Sequence, residues 1–341
     1  MTGASQSHRE PADLGELDLR IFQELQRDGR TPFVTVAERL GVSEAHVRRR
    51  TARLTDAQVF SITAVADPKV FGVDCMAWLG INAHEAHATS IAETLVAQPE
   101  IDYVVQTAGG FNIMAEAACR STAELYQLLR RIRDIVGVQH TETFVYLNLL
   151  RQQFQWSLDG ARTSVHATGD VALDPLDVAF VSELQRDGRA SFRDIGRRLH
   201  VSERIVSARV TRLMQANLLQ VIAVGNPLTL GFEAMAWLGI RIAEGHNLED
   251  AAGALADVPG IDYVVLPTGR YDLMAELVCR DQPELLDMLQ RGVGVIPGIA
   301  HVETFLYLRL LYASPIGAWG ASRSLPIEAR AARTKPDHPS P

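Results

Sequence analysis

The sequence contains a long internal repeat. The segment Leu17–Leu150 returns as Leu176–Leu311 at an offset of about 160 residues. The motif LQRDGR begins at Leu25 and again at Leu184, and the motifs MAWLGI, IDYVV and ETF-x-YL also occur once in each copy. A repeat of this period constrains the architecture before any single residue does. Two fused copies of a two-part unit predict a chain that carries its own dimer partner.

Size and composition place the chain among ordinary soluble proteins. Its 341 residues predict two or more domains, and the apolar fraction of 47% and charged fraction of 22% are typical of globular chains. The polar N-terminus lacks the apolar region of a signal peptide, and no apolar run reaches a membrane span, which predicts a cytoplasmic protein with no membrane partner. The cysteines Cys75, Cys119 and Cys279 lack metal-ligand spacing, which favours buried reduced thiols.

The charge is unevenly distributed along the chain. The net charge is −8, which by itself argues against a nucleic-acid partner. However, Leu17–Phe60 holds eight arginines against six acids, and Leu176–Leu219 holds eight against five. The field that a partner meets depends on the local charge. These two segments are therefore candidate DNA contacts.

The first part of each copy predicts three short helices. Leu19, Phe22 and Leu25 form an apolar stripe, and a second helix ends at a tight turn. Ser43 then has the position of a helix cap, and the same residue type recurs at Ser202. Two helices joined by a short turn after a first helix are typical of a helix-turn-helix.

The second part of each copy predicts alternating strands and helices. In the first copy the strands lie near 76–83, 101–108, 111–119 and 140–149, and the helices near 90–97 and 123–135. This order is βαββαβ, the ferredoxin-like arrangement. The last strand has apolar residues on both faces, for example Val145 and Phe144, so its sheet needs a second cover. We expect the other repeat to pack against it, sheet to sheet.

The predicted fold class is therefore α+β, with two copies of a winged-type helix-turn-helix followed by a ferredoxin-like domain, forming an intrachain pseudo-dimer. The predicted domains are helix-turn-helix 1 (15–66), ferredoxin-like domain 1 (67–151), a linker (152–174), helix-turn-helix 2 (175–225), ferredoxin-like domain 2 (226–312) and a flexible tail (313–341).

The third helix of each unit is the predicted DNA reader. Its apolar residues face inward, which leaves arginines at one-turn spacing to reach phosphates and guanine edges in the major groove. The alternative is a solvated arginine face. The predicted DNA-binding residues are Ser43, Glu44, His46, Arg48, Arg49, Arg53, Ser202, Arg204, Ser207, Arg209 and Arg212.

These motifs together resemble the Lrp/AsnC (feast/famine) family of transcriptional regulators. The matching stretches are LDLRIFQELQRDGR, AERLGVSEAHVRRRTARL, TAGGFNIMAE with its copy PTGRYDLMAE, and VQHTETFVYL. The resemblance implies self-association through the sheets and an amino-acid-like effector near the hairpin between the second and third strands. The effector-binding residues that it implies are Gly109, Gly110, Phe111, Asn112, Gly269, Arg270, Tyr271 and Asp272.

The hairpins depart from the family pattern at one position. The family usually has an acidic residue after the first glycine, whereas this chain has Gly110 and Arg270. Arg270 is therefore either a partner for a ligand carboxylate or an exposed arginine beside a turn. Because the two hairpins differ, one of them is a candidate for loss of ligand binding.

Catalytic motifs are scarce in the sequence. His140 with Glu142, and His301 with Glu303, lie at i, i+2 on one strand face, but no third ligand has suitable spacing, so interface packing is favoured over a metal or catalytic site. The leading hypothesis is a DNA-binding transcriptional regulator that is not an enzyme and needs no cofactor. The alternatives are a siroheme-decarboxylase-like enzyme on the same scaffold and a scaffold for other family members.

Overall fold

A computed structural model describes residues 14–57, 59–152, 172–225 and 227–313. The predicted linker lies almost entirely outside these residues, as do the N-terminal stretch before Leu14 and nearly all of the predicted tail. Within them, the α-helices are α1 (Glu16–Arg27), α2 (Phe33–Leu40), α3 (Glu44–Asp56), α4 (Ala88–Val96), α5 (Thr122–Arg133), α6 (Pro175–Arg186), α7 (Phe192–Arg198), α8 (Glu203–Gln215), α9 (Leu248–Ala256) and α10 (Gln282–Asp287).

The ten strands of the same residues fall into two groups. The strands are β1 (Phe60–Ala66), β2 (Cys75–Ala83), β3 (Ile101–Ala108), β4 (Ile113–Cys119), β5 (Val138–Gln152), β6 (Leu219–Gly225), β7 (Ala234–Ile242), β8 (Ile261–Pro267), β9 (Leu273–Cys279) and β10 (Ile299–Ala313). β1 and β6 form a separate two-stranded ribbon, and the other eight strands form a closed barrel.

Each helix-turn-helix unit folds around its own apolar core. Ile21, Phe22 and Leu25 of α1 pack with Val47 and Leu54 of α3, and the core of the second unit repeats this arrangement. The chain reverses between α2 and α3 at Gly41, which has φ +68°. His200 takes the equivalent left-handed position in the second unit with φ 56°, where a side chain is strained.

The ribbon joins the two helix-turn-helix units. β1 pairs antiparallel with β6, from Phe60 opposite Gly225 to Ala66 opposite Leu219. The repeated Asp-Gly-Arg turns lie against this ribbon. A side chain at Gly29 would come within 2.8 Å of Ile62, and one at Gly188 would meet the backbone of Ile62 at 2.8 Å. At these two positions the close approach of the ribbon therefore requires glycine.

The barrel consists of one four-stranded sheet from each repeat. Each sheet has the ferredoxin-like strand order, β3-β4-β2-β5 in the first repeat and β8-β9-β7-β10 in the second. β5 then pairs with β8 and β10 pairs with β3, so the two sheets share hydrogen bonds at both edges. The expected pseudo-dimer is confirmed, and its sheets are joined edge to edge as well as face to face.

The inside of the barrel is filled mainly by aromatic side chains from both repeats. The rings of Trp78 and Trp237 lie 4.3 Å apart, and both side chains are about 1% exposed. Phe111 stacks on Phe305 with ring centroids 5.5 Å apart. Separate apolar cores lie outside the barrel, beneath α4 and α5 in one repeat and α9 and α10 in the other. The last strand is apolar on both faces because it contributes to both layers.

The α+β fold class is confirmed, while individual bounds shift by a few residues. The third strand begins at Ile113 rather than at residue 111, because Phe111 packs its ring against Gly80 before the strand starts. The last strand extends to Gln152, because its second half pairs with β8 of the other repeat. The domain boundaries proposed from the sequence stay predictions.

Candidate functional site

The third helix of each helix-turn-helix unit begins at a serine cap. The Ser43 hydroxyl accepts a hydrogen bond from the His46 amide at 3.3 Å, and the Ser202 hydroxyl accepts one from the Ile205 amide at 3.4 Å. This arrangement satisfies an amide that the helix itself leaves unpaired. Both caps were predicted from the sequence, and they fix where the third helix of each unit begins.

The outer face of α3 carries four of the eleven predicted DNA-binding residues. Glu44, Arg48 and Arg49 are exposed, and His46 is partly buried. Arg48 donates to Glu44 at 2.6 Å, but its side chain is 64% exposed, and such a surface pair contributes little to stability. The pair therefore holds Arg48 only weakly, and the guanidinium remains accessible from solvent.

Three of the predicted DNA-binding arginines have buried partners instead. The Arg53 guanidinium donates to Asp18 of α1 at 2.6 Å, and Asp18 is about 1% exposed. In the second unit, Arg209 and Arg212 donate to Asp177 at 3.2 and 2.6 Å. Arg53 and Arg212 do point outward, with side chains 56% and 42% exposed, but each also holds a buried aspartate, because a buried carboxylate needs a charged partner. Their part in DNA binding stays a prediction.

In the first unit a second arginine, Arg50, also holds Asp18, and the sequence analysis did not identify it. Arg50 donates to Asp18 at 2.9 Å, so two arginines hold one aspartate in each unit. The signal was an acidic residue at the third position of both first helices, Asp18 and Asp177, within an otherwise apolar pattern. These contacts attach the recognition helix to the first helix and fix its direction.

A reciprocal clasp connects the two helix-turn-helix units. Arg30 donates to the Gly188 carbonyl at 2.8 Å, and Arg189 donates to the Gly29 carbonyl at 2.6 Å. Each guanidinium also lies over an aromatic ring of the other unit, 4.5 Å from the Phe192 centroid for Arg30 and 4.0 Å from the Phe33 centroid for Arg189. The repeated LQRDGR motif is therefore an interface between the units, in addition to a helix end.

The remaining predicted residues of α8 present a weaker charge. Ser202 and Arg204 are exposed, and Ser207 is partly buried. Where α3 has Arg48 and Arg49, α8 has Ser207 and Ala208. The two recognition helices are held alike, but their outer faces differ.

The two predicted effector hairpins hold the barrel end together. Phe111 and Tyr271 are about 2% and 3% exposed, so their rings belong to the barrel core. The Asn112 side chain exchanges hydrogen bonds with the Ala83 backbone at 2.7 and 2.9 Å, and Asp272 accepts from the Ile242 amide at 2.8 Å. The turn residues Gly109, Gly110, Gly269 and Arg270 remain exposed. Asp272 is exposed as well and Asn112 is half-buried, so Phe111 and Tyr271 are the two predicted effector-binding residues that the core withholds from a ligand.

Arg270 lies between two carboxylates of the protein. Its guanidinium is 3.5 Å from Glu142 and 3.7 Å from Glu303, and its side chain is 45% exposed. A side chain at Gly110 would come within 2.4 Å of Glu303. The guanidinium of the second hairpin thus lies beside the glycine of the first. His140 and His301 are exposed, and the described part of the chain contains no group of three or more metal-binding side chains.

Two buried glutamates in the barrel were missed by sequence reasoning. Glu116 accepts hydrogen bonds from Tyr146 of its own repeat at 2.6 Å and from Tyr263 of the other repeat at 2.7 Å. Glu276 likewise accepts from Tyr307 and from Tyr103. Burial raises the pKa of Glu116 to about 7, and burial also raises the pKa of Glu276. The repeated MAE within an apolar strand was the available signal.

Family models match the same regions. An AsnC-type helix-turn-helix domain matches residues 14–55 and 173–214, and an Lrp/AsnC ligand binding domain matches residues 74–155 and 235–316. The chain belongs to the Lrp/AsnC family. An uncharacterized HTH-type transcriptional regulator of Pyrococcus abyssi is 32% identical over 154 residues, which cover 45% of this chain and 93% of that protein. Such a relative corresponds to about one repeat.

A tandem relative extends over both repeats. The siroheme decarboxylase NirDL subunit of Paracoccus denitrificans is 31% identical over 263 residues, which cover 73% of this chain and 78% of that protein. A crystal structure of the siroheme decarboxylase NirDL has the same fold, with a TM-score of 0.60 at 17% identity over 89% of this chain and 97% of that one. The sequence-based statement that the chain is not an enzyme is therefore wrong, because a related tandem protein is one.

None of the helices in the described residues is long and apolar enough to cross a membrane.

Proposed function

We propose that this protein is a sequence-specific DNA-binding transcriptional regulator in which a single chain supplies both recognition helices. The observation that carries the proposal is the clasped pair of helix-turn-helix units. Serine caps start both recognition helices, Asp18 and Asp177 anchor them through arginines, and the first exposes Arg48 and Arg49. Two helices held in a fixed relation are what two neighbouring half-sites on a duplex require.

The test of DNA binding is fluorescence anisotropy with duplexes from the chain's own upstream region. We expect the wild type to bind one of these duplexes at least about tenfold more tightly than a random duplex at equal salt. The variant R48A/R49A should lose most of that preference. The matched control is R280A/R291A, which removes two exposed arginines from the far domain and should bind as the wild type does. Equal affinity for all duplexes would contradict the proposal.

We further propose a small amino-acid-like effector, in a cytoplasmic protein that self-associates through its sheets. The exposed hairpin turns, with Arg270 as the only cationic side chain of the eight predicted effector-binding residues, support an anionic group on the ligand. Light scattering and calorimetry with a panel of amino acids test this. The wild type should show a change of mass or a binding heat that R270A lacks. If no amino acid gives either signal, this part of the proposal fails.

A second candidate function is the binding or decarboxylation of a carboxylated tetrapyrrole. It is supported by the similarity to the NirDL subunit over both repeats. The test is incubation with siroheme, followed by absorbance and by mass spectrometry of the product. A shifted absorbance band together with a mass lower by carbon dioxide would establish this function. Unchanged absorbance and mass would exclude it for siroheme.

A further inference from the structure

The two helix-turn-helix units differ on the surfaces that face DNA, although they share their internal contacts. The shared contacts are the serine caps, the two arginines on one buried aspartate, and the clasp between Arg30 and Arg189. Because the anchoring arginines are equivalent in both units, they do not distinguish the half-sites. Any difference in recognition must come from the remaining outward side chains.

The first recognition helix presents long cationic side chains. Arg48 and Arg49 are both exposed on the outer face of α3, and His46 stands at its first turn. Arginine is the side chain that most often donates two hydrogen bonds to guanine O6 and N7 in the major groove. One such contact discriminates against the wrong base by about 1–3 kcal/mol. The outer face of α3 therefore suits a half-site that is specified by guanines.

The second recognition helix presents short and apolar side chains at the same positions. Ser207 and Ala208 replace the two arginines, and Ile205 is 43% exposed where the first helix has a histidine. Arg204 near the start of α8 is the remaining exposed cation among its predicted DNA-binding residues. With fewer long donors, α8 offers little discrimination between base pairs.

The helix before the recognition helix differs in the opposite sense, because α7 of the second unit is more positive than α2 of the first. Arg193 and Arg197 of α7 are exposed, and their counterparts in α2 are Val34 and Glu38. These two exchanges add three positive charges and Asp194, in place of Thr35, removes one, so α7 is more positive than α2 by two charges. Arg197 pairs with Asp194 at 2.8 Å but is 78% exposed, so it is available to another anion. In a helix-turn-helix the helix before the reader crosses the DNA backbone, which places these arginines beside phosphates.

We infer that the operator of this protein is asymmetric, with one strongly specified half-site beneath α3 and one weakly specified half-site that the second unit holds through phosphates. The inference rests on the proposed DNA-binding function. Phosphate contacts add affinity and salt dependence without sequence information, whereas base contacts supply the sequence preference. The first repeat thus supplies the sequence preference, and the second supplies sequence-independent affinity.

The experiment is selection of bound duplexes from a random pool by the full chain, followed by affinity measurements over a range of salt concentrations. We expect one conserved half-site beside a variable one. R48A/R49A should reduce the base preference at the conserved half-site by about tenfold or more. R193A/R197A should leave the selected sequence unchanged and should reduce the slope of log affinity against log salt by up to about 2.

The gain-of-function variant S207R/A208R sharpens the test, because it places the arginines of α3 on α8. We expect it to select a more conserved second half-site. Thermal unfolding of each variant checks that the fold is kept. A palindromic consensus with equal halves, or a changed consensus for R193A/R197A, would overturn the inference and leave the proposed function intact. A wild type that selects no sequence would overturn the proposed function and the inference with it.

Discussion

The two copies are more alike in the barrel than on the outer faces of the helix-turn-helix units. In the barrel, the central residues that join the repeats are kept in both copies: Trp78 matches Trp237, and each buried glutamate accepts hydrogen bonds from one tyrosine of each repeat. On the outer faces of α3 and α8, which are the predicted DNA-binding surfaces, the copies have diverged. An interior position must fit its partner in the other repeat, whereas a surface position faces only solvent or a ligand. Fusion therefore lets the surface become asymmetric while the interior stays nearly symmetric.

The largest expected effect comes from the barrel interior. W78A and W237A each remove a fully buried indole and leave a cavity between the repeats, so each should lower the free energy of unfolding by about 3–5 kcal/mol. Urea unfolding measures this. If the interior is as symmetric as its contacts indicate, the two losses agree within about 1 kcal/mol. A much smaller loss for one of them would show that the barrel halves are also unequal.

The buried glutamates predict a pH dependence of stability. The folded pKa of Glu116 is about 7, and the ordinary value is 4.5, so the native state holds a proton that the unfolded chain releases. Its stabilising effect is fully present below about pH 4.5 and is lost as the pH rises toward and through 7. Each unit of pKa shift corresponds to about 1.4 kcal/mol.

E116Q tests this sign directly. The amide keeps an oxygen that can accept from both tyrosines but does not titrate, so urea unfolding between pH 5 and 7.5 should show a flatter profile than the wild type. E244Q, which alters an exposed glutamate, is the matched control and should keep the wild-type profile. If the free energy of unfolding of E116Q depends on pH as steeply as that of the wild type, Glu116 is not the group responsible.

The reciprocal clasp predicts a smaller and equal effect from either side. R30A or R189A removes charged hydrogen bonds to backbone carbonyls, and partial exposure reduces their contribution, so we expect a loss of about 1–2 kcal/mol for each. In the double variant the losses should not add, because both residues hold one interface. Chemical unfolding of the three variants provides the cycle. Strictly additive losses would argue against a shared clasp.

The smallest expected effect distinguishes the two turns. H200G replaces a residue with φ 56° by the residue type that the first unit uses at Gly41, and should stabilise the protein by about 1 kcal/mol. G41H should destabilise it by a similar amount for the same reason. Differential scanning calorimetry measures both changes. A loss of stability in H200G would indicate that the imidazole has a contact that offsets the strain.

The sequence predicted the elements well because their signals are local. A serine cap, the spacing of apolar residues and the order of strands and helices all act within a few residues of one another. The same signals could not separate Arg48, whose partner is the exposed Glu44 of its own helix, from Arg53, which holds the buried Asp18. Both look alike along a helix, and only the packing of α1 against α3 distinguishes them. The hairpins show the same limit of sequence reasoning: Phe111 and Tyr271 were predicted as ligand contacts, but their rings are buried in the barrel core.

By itself, the sequence determined that the chain is a duplicated α+β protein with two helix-turn-helix units, because repetition and periodicity are properties of the chain alone. The tertiary structure decided how the copies meet: a closed barrel, a ribbon of β1 and β6, and a clasp between Arg30 and Arg189. These contacts join residues far apart in the chain, and burial gives them their energies. The packing of the first helix against the third in each unit also decides which arginines hold a buried aspartate.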